Sequence, residues 1–413
     1  MLGSKNMIDS PANDTVLLHF SGHDKPGLSA ALTRILAERN VCILDIGQAV
    51  VHDVLALGML VEIPASQDFN LLKNAIVIRA RELDLEVRFT RISTEAMQHW
   101  TASQDIDQFL ITILGRAISA EHLWRVTAII EKHGLNIERI DRLSTPLSLA
   151  AHTSGANACI ELRLSGDARA EDEMRTAFLA LAQEHPIDIA FQRESIFRRN
   201  RRLFAFDMDS TLIQGEVIDE LAKMAGVGDK VVEITRAAMR GEIEFKESFR
   251  RRVGLLKGLP VEQVHTLLDK IPLVEGAEHL TKTLKMLGYK TAILSGGFRF
   301  FGEHLQAQLG IDYLFANDLL IEDGKVTGEV GSDIIDGPRK AELLREIAKR
   351  ESISLEQVVA VGDGANDLPM LNIAGMGIAF HAKPLVSESA EHSLSHLGLD
   401  SLLYLIGVRD RDL

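Results

Sequence analysis

Apolar and polar positions follow different periods in the two halves of this chain. Thr15 to Phe20 predicts a strand, Ser21 to Gly27 a turn, and Leu28, Leu32, Ile35 and Leu36 fall at helical spacing. Val41 to Val51 then predicts a strand, followed by a strand over Leu55 to Ile63, a helix over Phe69 to Leu83 and a last strand. The same order returns with a strand at Phe109 to Leu114, a turn at Gly115 and a helix over Leu123 to His133, stopped by Gly134. Strands at Asn136 to Leu143 and Ala158 to Leu164, a helix over Ala170 to Glu184 and a final strand complete this second copy. The order βαββαβ is the ferredoxin-like arrangement, expected twice, at 15–92 and 107–193. Residues 1–14 carry no such pattern and read as a disordered leader.

The second half, 200–413, has short uninterrupted apolar runs: Leu203 to Phe206, Lys290 to Leu294, Val358 to Val361 and Met376 to Ala379. Each precedes a polar, glycine-containing loop, and most precede a helical pattern, as buried parallel strands of an α/β sheet do. The charged stretch at about 216–287 shows helical spacing and no strand, which predicts a helical insertion above the sheet. Asp323 and Gly324 sit at the centre of a predicted β-hairpin at about 317–330.

Composition narrows the function classes. The chain has 413 residues and a formal net charge of -14, which argues against a general affinity for nucleic acid or anionic membrane. The one basic run, Arg198 to Arg202, reads as a solvated linker between domains. No segment has the roughly 20 apolar residues of a membrane-spanning helix. Cys42 and Cys159 do not make a disulfide framework, so a reducing, cytoplasmic location is expected.

The chemistry gathers after the apolar runs of the second half. Asp207 and Asp209 follow the first run, one residue apart, so one carboxylate can attack phosphorus while the other transfers protons. Asp363, Asn366 and Asp367 follow the third run in a glycine-rich loop. Carboxylates converging from two loops call for a cation, and oxygen ligands with phosphate chemistry suit Mg²⁺. Ser295 and Gly296 follow the second run and offer a hydroxyl and backbone N–H groups to a phosphoryl oxygen, and Lys340 offers a positive charge.

The order Asp-x-Asp-x-Thr, Ser, Lys, Gly-Asp-Gly-x-Asn-Asp resembles the four motifs of the haloacid dehalogenase superfamily, and 206–384 closely resembles the phosphoserine phosphatases. The resemblance implies that Asp207 is the nucleophile and Asp209 the general acid/base. Mg²⁺ would be held by the Asp207 carboxylate, the Asp209 carbonyl and Asp363, with Asp367 behind them. Ser295, Gly296, Lys340 and Asn366 would hold the phosphate. Gln214 to Glu220 and Met239 to Arg252 look like the cap of this family, which implies that Glu216 meets the substrate ammonium, Arg252 its carboxylate, and Met239 and Phe245 close the site. The implied reaction is hydrolysis of O-phospho-L-serine to L-serine and phosphate through an aspartyl phosphate, the last step of serine biosynthesis. Two alternatives stay open: a phosphatase or phosphotransferase for another small ester, and an amino-acid-binding regulator on a phosphatase-like body.

The two ferredoxin-like copies resemble ACT domains, and the whole layout is similar to that of mycobacterial phosphoserine phosphatases. Asp24 and Gly27 fit the ACT ligand loop, where glycine admits a close approach and Pro26 fixes the turn. In the second copy Gly115 is present but the Asp-x-Pro-Gly pattern is not. The resemblance implies an amino acid effector such as L-serine, or a dimerisation role giving a homodimer through strand edges.

Overall fold

The computed structural model describes residues 13–102, 107–146, 157–167, 171–268, 270–331 and 333–413. Residues 1–12 of the expected leader lie outside them, and Asp14 already pairs with Ile63 in the first strand. The chain forms two compact units, Met1–Asp105 and Ile106–Leu413.

The first unit contains β1 (Asp14–His23), α1 (Leu28–Ala37), β2 (Cys42–Val51), β3 (Val54–Ile63), α2 (Phe69–Glu82) and β4 (Leu85–Arg91). Its antiparallel sheet has the order β2-β3-β1-β4. Alternation in β1 turns Val16, Leu18 and Phe20 inward, where they meet Leu28, Leu32 and Leu36 of α1 and Leu72 and Ile76 of α2. Asp68 caps α2 by accepting from the Asn70 N–H at 2.8 Å. A helix that the apolar pattern did not predict, α3 (Thr94–Ala102), follows β4.

The second unit opens with β5 (Gln108–Gly115), α4 (Ala120–Lys132), β6 (Asn136–Arg142), β7 (Ala158–Ser165), α5 (Glu171–Glu184) and β8 (Ile187–Arg193). Its order, β6-β7-β5-β8, matches that of the first sheet. The chain continues through β9 (Leu203–Phe206), α6 (Val217–Met224), α7 (Gly228–Met239), α8 (Phe245–Gly254), α9 (Val261–His265), α10 (Ala277–Met286), β10 (Lys290–Phe298), α11 (Arg299–Leu309) and β11 (Tyr313–Asn317). After the hairpin β12 (Leu319–Glu322) and β13 (Lys325–Val330) come α12 (Gly337–Arg350), β14 (Val358–Gly362), α13 (Leu368–Leu371), β15 (Met376–Phe380), α14 (Pro384–Ser389), β16 (His392–Leu394) and α15 (Leu402–Leu405).

The parallel sheet has the order β11-β10-β9-β14-β15-β16. Its outer strands β11 and β16 were not read from the sequence. Strand β16 is three residues of which two are polar, whereas Tyr313 to Ala316 of β11 is an apolar run that could have signalled a strand. In the stretch expected as an insertion, α10 packs on β10 and α11 and so returns the chain to the sheet. Central β9 pairs with β10 at Phe206↔Ile293 and with β14 at Phe206↔Val361. The loops after these three strands therefore leave side by side, at the carboxyl edge where open α/β sheets bind ligands.

The basic run departs from its reading as a solvated linker. Arg198 is 1% exposed and Arg201 is also buried. Arg198 forms a buried ion pair with Glu161 of β7 and donates to the Leu405 carbonyl at 3.2 Å. An arginine between two packed domains becomes interior once a carboxylate faces it, which a one-dimensional charge count does not reveal.

Candidate active site

Asp207 leaves the end of β9 and is buried. Its Oδ1 accepts from the Met208 N–H at 2.7 Å and meets Lys340 Nζ at 2.8 Å. Lys340 is wholly buried and also donates to Asp367 Oδ1 at 2.7 Å. Asp336 caps α12 by accepting from the Arg339 N–H, which sets the turn that carries Lys340. Asp367 Oδ2 accepts from the Gly364 N–H at 2.9 Å, so both oxygens of Asp367 are engaged.

One carboxylate oxygen each from Asp207, Asp363 and Asp367 lies within 4.8 Å of the others. Burial pushes the Asp207 carboxyl up to about 7, with Asp367 adding repulsion and Lys340 opposing it. Burial, then Asp207 and Asp367, pushes Asp363 up to about 8. Burial alone would lower the Lys340 ammonium, but its contacts with Asp207 and Asp367 hold it above its ordinary value. Three carboxylates face one ammonium, and hard oxygen donors with excess negative charge fit a divalent cation such as Mg²⁺. Both oxygens of Asp367 already accept hydrogen bonds, which leaves Asp207 and Asp363 as the side chains better placed for direct ligation.

Asp209 is buried beside this cluster but is not one of its three converging carboxylates. Its Oδ1 accepts from the Val217 N–H at 2.9 Å, at the start of α6. Burial, then Glu216 and Asp207, raises its carboxyl well above the ordinary range. A carboxyl raised in this way beside a second carboxylate suits a general acid. Gly297, which the motif reading did not single out, makes this possible. A Cβ there would lie 2.3 Å from Asp209 Oδ2.

Ser295 is fully buried, and its hydroxyl accepts from the Gly297 N–H at 2.8 Å. A Cβ on Gly296 would come within 2.9 Å of the Phe245 ring, so glycine lets the cap close over the sheet edge. Asn317, at the end of β11, donates to the Gly296 carbonyl at 2.8 Å and accepts from the Ile335 N–H. It braces the loop from outside any motif.

Above the sheet edge lies a cavity of about 910 Å³, lined among others by Asp207, Asp209, Glu216, Phe245, Arg252 and Asp363. Gly296 and Asn366 also line it, whereas Ser295 and Lys340 lie behind its wall. Glu216 sits at the N-cap of α6, and burial and then Asp219 raise its carboxyl while Arg252 opposes the rise. Burial lowers the Arg252 guanidinium, opposed by Glu216, Asp219 and Asp209. Met239 ends α7, but its side chain lies outside the described residues. Lys383, at the N-cap of α14, also lines the cavity, although no motif pointed to it.

Three family models match the chain. One is a haloacid dehalogenase-like hydrolase over residues 201–375, and two are ACT domains over 14–90 and 108–192. The chain is 38% identical to the phosphoserine phosphatase SerB2 of Mycobacterium tuberculosis over 400 residues, covering 96% of this chain and 94% of that protein. The chain belongs to the phosphoserine phosphatase family. A second phosphoserine phosphatase, from Streptomyces coelicolor, is 39% identical over 396 residues, 95% of this chain and 92% of that one. Among solved structures, a haloacid dehalogenase family hydrolase of Salmonella enterica serovar Typhi matches with a TM-score of 0.61 and 32% identity. That match covers 72% of this chain and 99% of the other. Membership in the phosphoserine phosphatase family agrees with the haloacid dehalogenase core, the helical cap and the two ACT domains read from the sequence. No helix among the described residues is long and apolar enough to cross a membrane.

Proposed function

We propose that this chain hydrolyses O-phospho-L-serine to L-serine and phosphate, with Mg²⁺, as the last step of serine biosynthesis in the cytoplasm. One observation carries the reading. The acidic centre with Lys340 behind it shares a single cavity with Glu216 and Arg252, an acid and a base suited to the ammonium and carboxylate of an amino acid.

Asp207 attacks phosphorus in line and forms an aspartyl phosphate, breaking the ester bond. Lys340 and the Met208 N–H fix one oxygen of Asp207, so its other oxygen attacks. Asp209 gives its proton to the departing serine oxygen. As a carboxylate it then takes a proton from water, which hydrolyses the aspartyl phosphate. A bound Mg²⁺, held by Asp207, the Asp209 carbonyl and Asp363, would offset the phosphate charge that otherwise repels a carboxylate nucleophile. Ser295, Gly296, Lys340 and Asn366 hold the phosphate, with Asp367 supporting Lys340 and the metal ligands. Glu216 and Arg252 grip the amino acid end under Phe245.

Phosphate release from phosphoserine, phosphothreonine and phosphohomoserine, with and without Mg²⁺, tests this. Phosphoserine is expected to lead the panel only when Mg²⁺ is present, and Asp207→Asn is expected to abolish turnover. A faster reaction with another ester would sink the substrate assignment.

For the first ACT domain we propose L-serine as effector at Asp24 and Gly27. Gly27 is left-handed at φ 92°, with open space where a Cβ would lie. The exposed edge strand β2, with Ile43, Ile46 and Val51, supports a homodimer. Gly115 supports no such effector reading. A Cβ there would meet the Ile187 side chain at 3.1 Å and the Pro186 carbonyl at 3.2 Å. Inhibition of the full chain by serine, lost on substituting Gly27 with dimerisation intact, would support sensing, and a dimer insensitive to amino acids would sink it.

A further inference from the structure

The cap wall of the cavity carries polar groups that nothing among the described residues satisfies. Thr235 of α7 and Ser248 and Arg252 of α8 all line the cavity. Thr235 Oγ1, Ser248 Oγ and Arg252 Nε are buried and have no hydrogen-bond partner. Ser248 is 1% exposed, and it precedes Arg252 by one helical turn, so both lie on the same face of α8.

Hydroxyls inside helices ordinarily bond back to a carbonyl one turn earlier. Thr281 of α10 does so with the Ala277 carbonyl at 2.9 Å, and Thr33 of α1 with the Ser29 carbonyl at 2.8 Å. Thr235 and Ser248 do not, and a buried hydroxyl without a partner is destabilising. Such groups fit a site whose partner arrives with the ligand. Two hydroxyl donors beside a guanidinium match an anion with several acceptor lone pairs. On the proposed reading the phosphate goes to the loops after β9, β10 and β14, which leaves the carboxylate for the α7–α8 wall.

We propose that Ser248 and Thr235 are specificity-determining residues that donate hydrogen bonds to the substrate carboxylate beside Arg252. The proposal rests on the reading of the cavity as a phosphoserine site. It adds two hydroxyls that select a phosphorylated amino acid over the same ester without its carboxylate.

The test compares O-phosphoserine with phosphoethanolamine, which lacks only the carboxylate, using Ser248→Ala, Thr235→Val and the double variant. Thermal melting of the ligand-free chain runs alongside. Ser248→Ala is expected to lower the kcat/KM ratio of phosphoserine to phosphoethanolamine about tenfold, which is about 1.4 kcal/mol. The loss should fall on KM for phosphoserine. Ligand-free melting should stay level or rise, because the hydroxyl removed had no partner. An unchanged ratio in the double variant would overturn the proposal. So would equal losses on both substrates with a lowered melting temperature, since that pattern marks a structural role. A wild-type chain with no preference for phosphoserine over phosphoethanolamine would instead sink the phosphoserine reading, before any variant is compared.

Discussion

The two ACT domains share one strand order and put the loop after their first strand to opposite uses. In the first domain that loop is open: no atom lies within 4 Å of where a Cβ on Gly27 would sit. In the second domain the loop is clamped. Arg116, next to Gly115, meets both carboxylate oxygens of Glu275 at 2.6 Å, just before α10 of the catalytic domain. The sheets differ in the same sense. At the corresponding edge, β4 is buried only at Leu85, whereas β8 is buried along all but its last residue. Topology thus sets where the loop stands, and the surface opposite it sets whether it can receive a ligand or is consumed as an interface.

The largest test of this difference is the buried ion pair between Arg198 and Glu161 of the second ACT domain. Arg198→Ala would leave Glu161 buried and unpaired, and is expected to cost about 3–5 kcal/mol in unfolding free energy by denaturant titration. A loss under about 1 kcal/mol would mean that the second ACT domain is not fastened through this pair, since that is the range of exposed pairs. Asp188 is the next fastening. Its two oxygens accept from the Ser395 and His396 N–H groups at 2.7 and 3.0 Å. Asp188→Ala is expected to cost about 2 kcal/mol, because two donors lose their acceptor. Unchanged thermal melting in that variant would count against a rigid seat for β8 on the catalytic domain.

Gly27→Ala and Gly115→Ala sharpen the comparison directly. The first forces an alanine to a left-handed φ at about 1–2 kcal/mol. It is expected to reduce any response to serine while leaving basal turnover intact. The second meets neighbours at 3.1–3.4 Å and is expected to lower melting without changing the response to serine. A serine response lost in Gly115→Ala but kept in Gly27→Ala would reverse the two assignments.

The candidate centre was legible because Asp207, Asp209 and Asp363 follow apolar runs in short motifs, and Lys340 opens a helical pattern. The structure brings Asp207, Asp363 and Lys340 together with Asp367, and places Asp209 beside them. Ser248, Thr235, Asn317 and Lys383 were not legible, since each looks ordinary in its own segment and matters only through neighbours distant in the chain. Arg198 shows the same limit from the other side. Five residues of a basic run read as solvated until Glu161, on a strand of the preceding domain, is placed against them. The ACT repeats were legible in order and number, whereas the clamp at Arg116 depends on Glu275, whose position no local pattern encodes.

The smallest expected effect lies in the open loop. His52 Nδ1 lies 2.7 Å from Asp53 Oδ1, and Asp53 also accepts from the Asp24 N–H through its carbonyl at 2.8 Å. The hydrogen bond to Asp53, followed by its charge, raises the His52 imidazolium above the ordinary value, and the same bond lowers the Asp53 carboxyl. For a histidine raised in the folded state, the favourable pairing is complete below the unfolded pKa, about 6.5, and is lost as pH rises through the folded value. The β2–β3 turn that holds Asp53 against Asp24 should therefore loosen as pH rises through the raised His52 value. An NMR titration of His52 is expected to show a midpoint above 6.5 that returns to the ordinary value in Asp53→Asn. A midpoint at or below 6.5 in the wild-type chain would mean that this pair does not form in solution. The open loop would then be held by its backbone bond to Asp53 and the exposed Lys25–Asp84 pair, and its contrast with the clamped loop would widen.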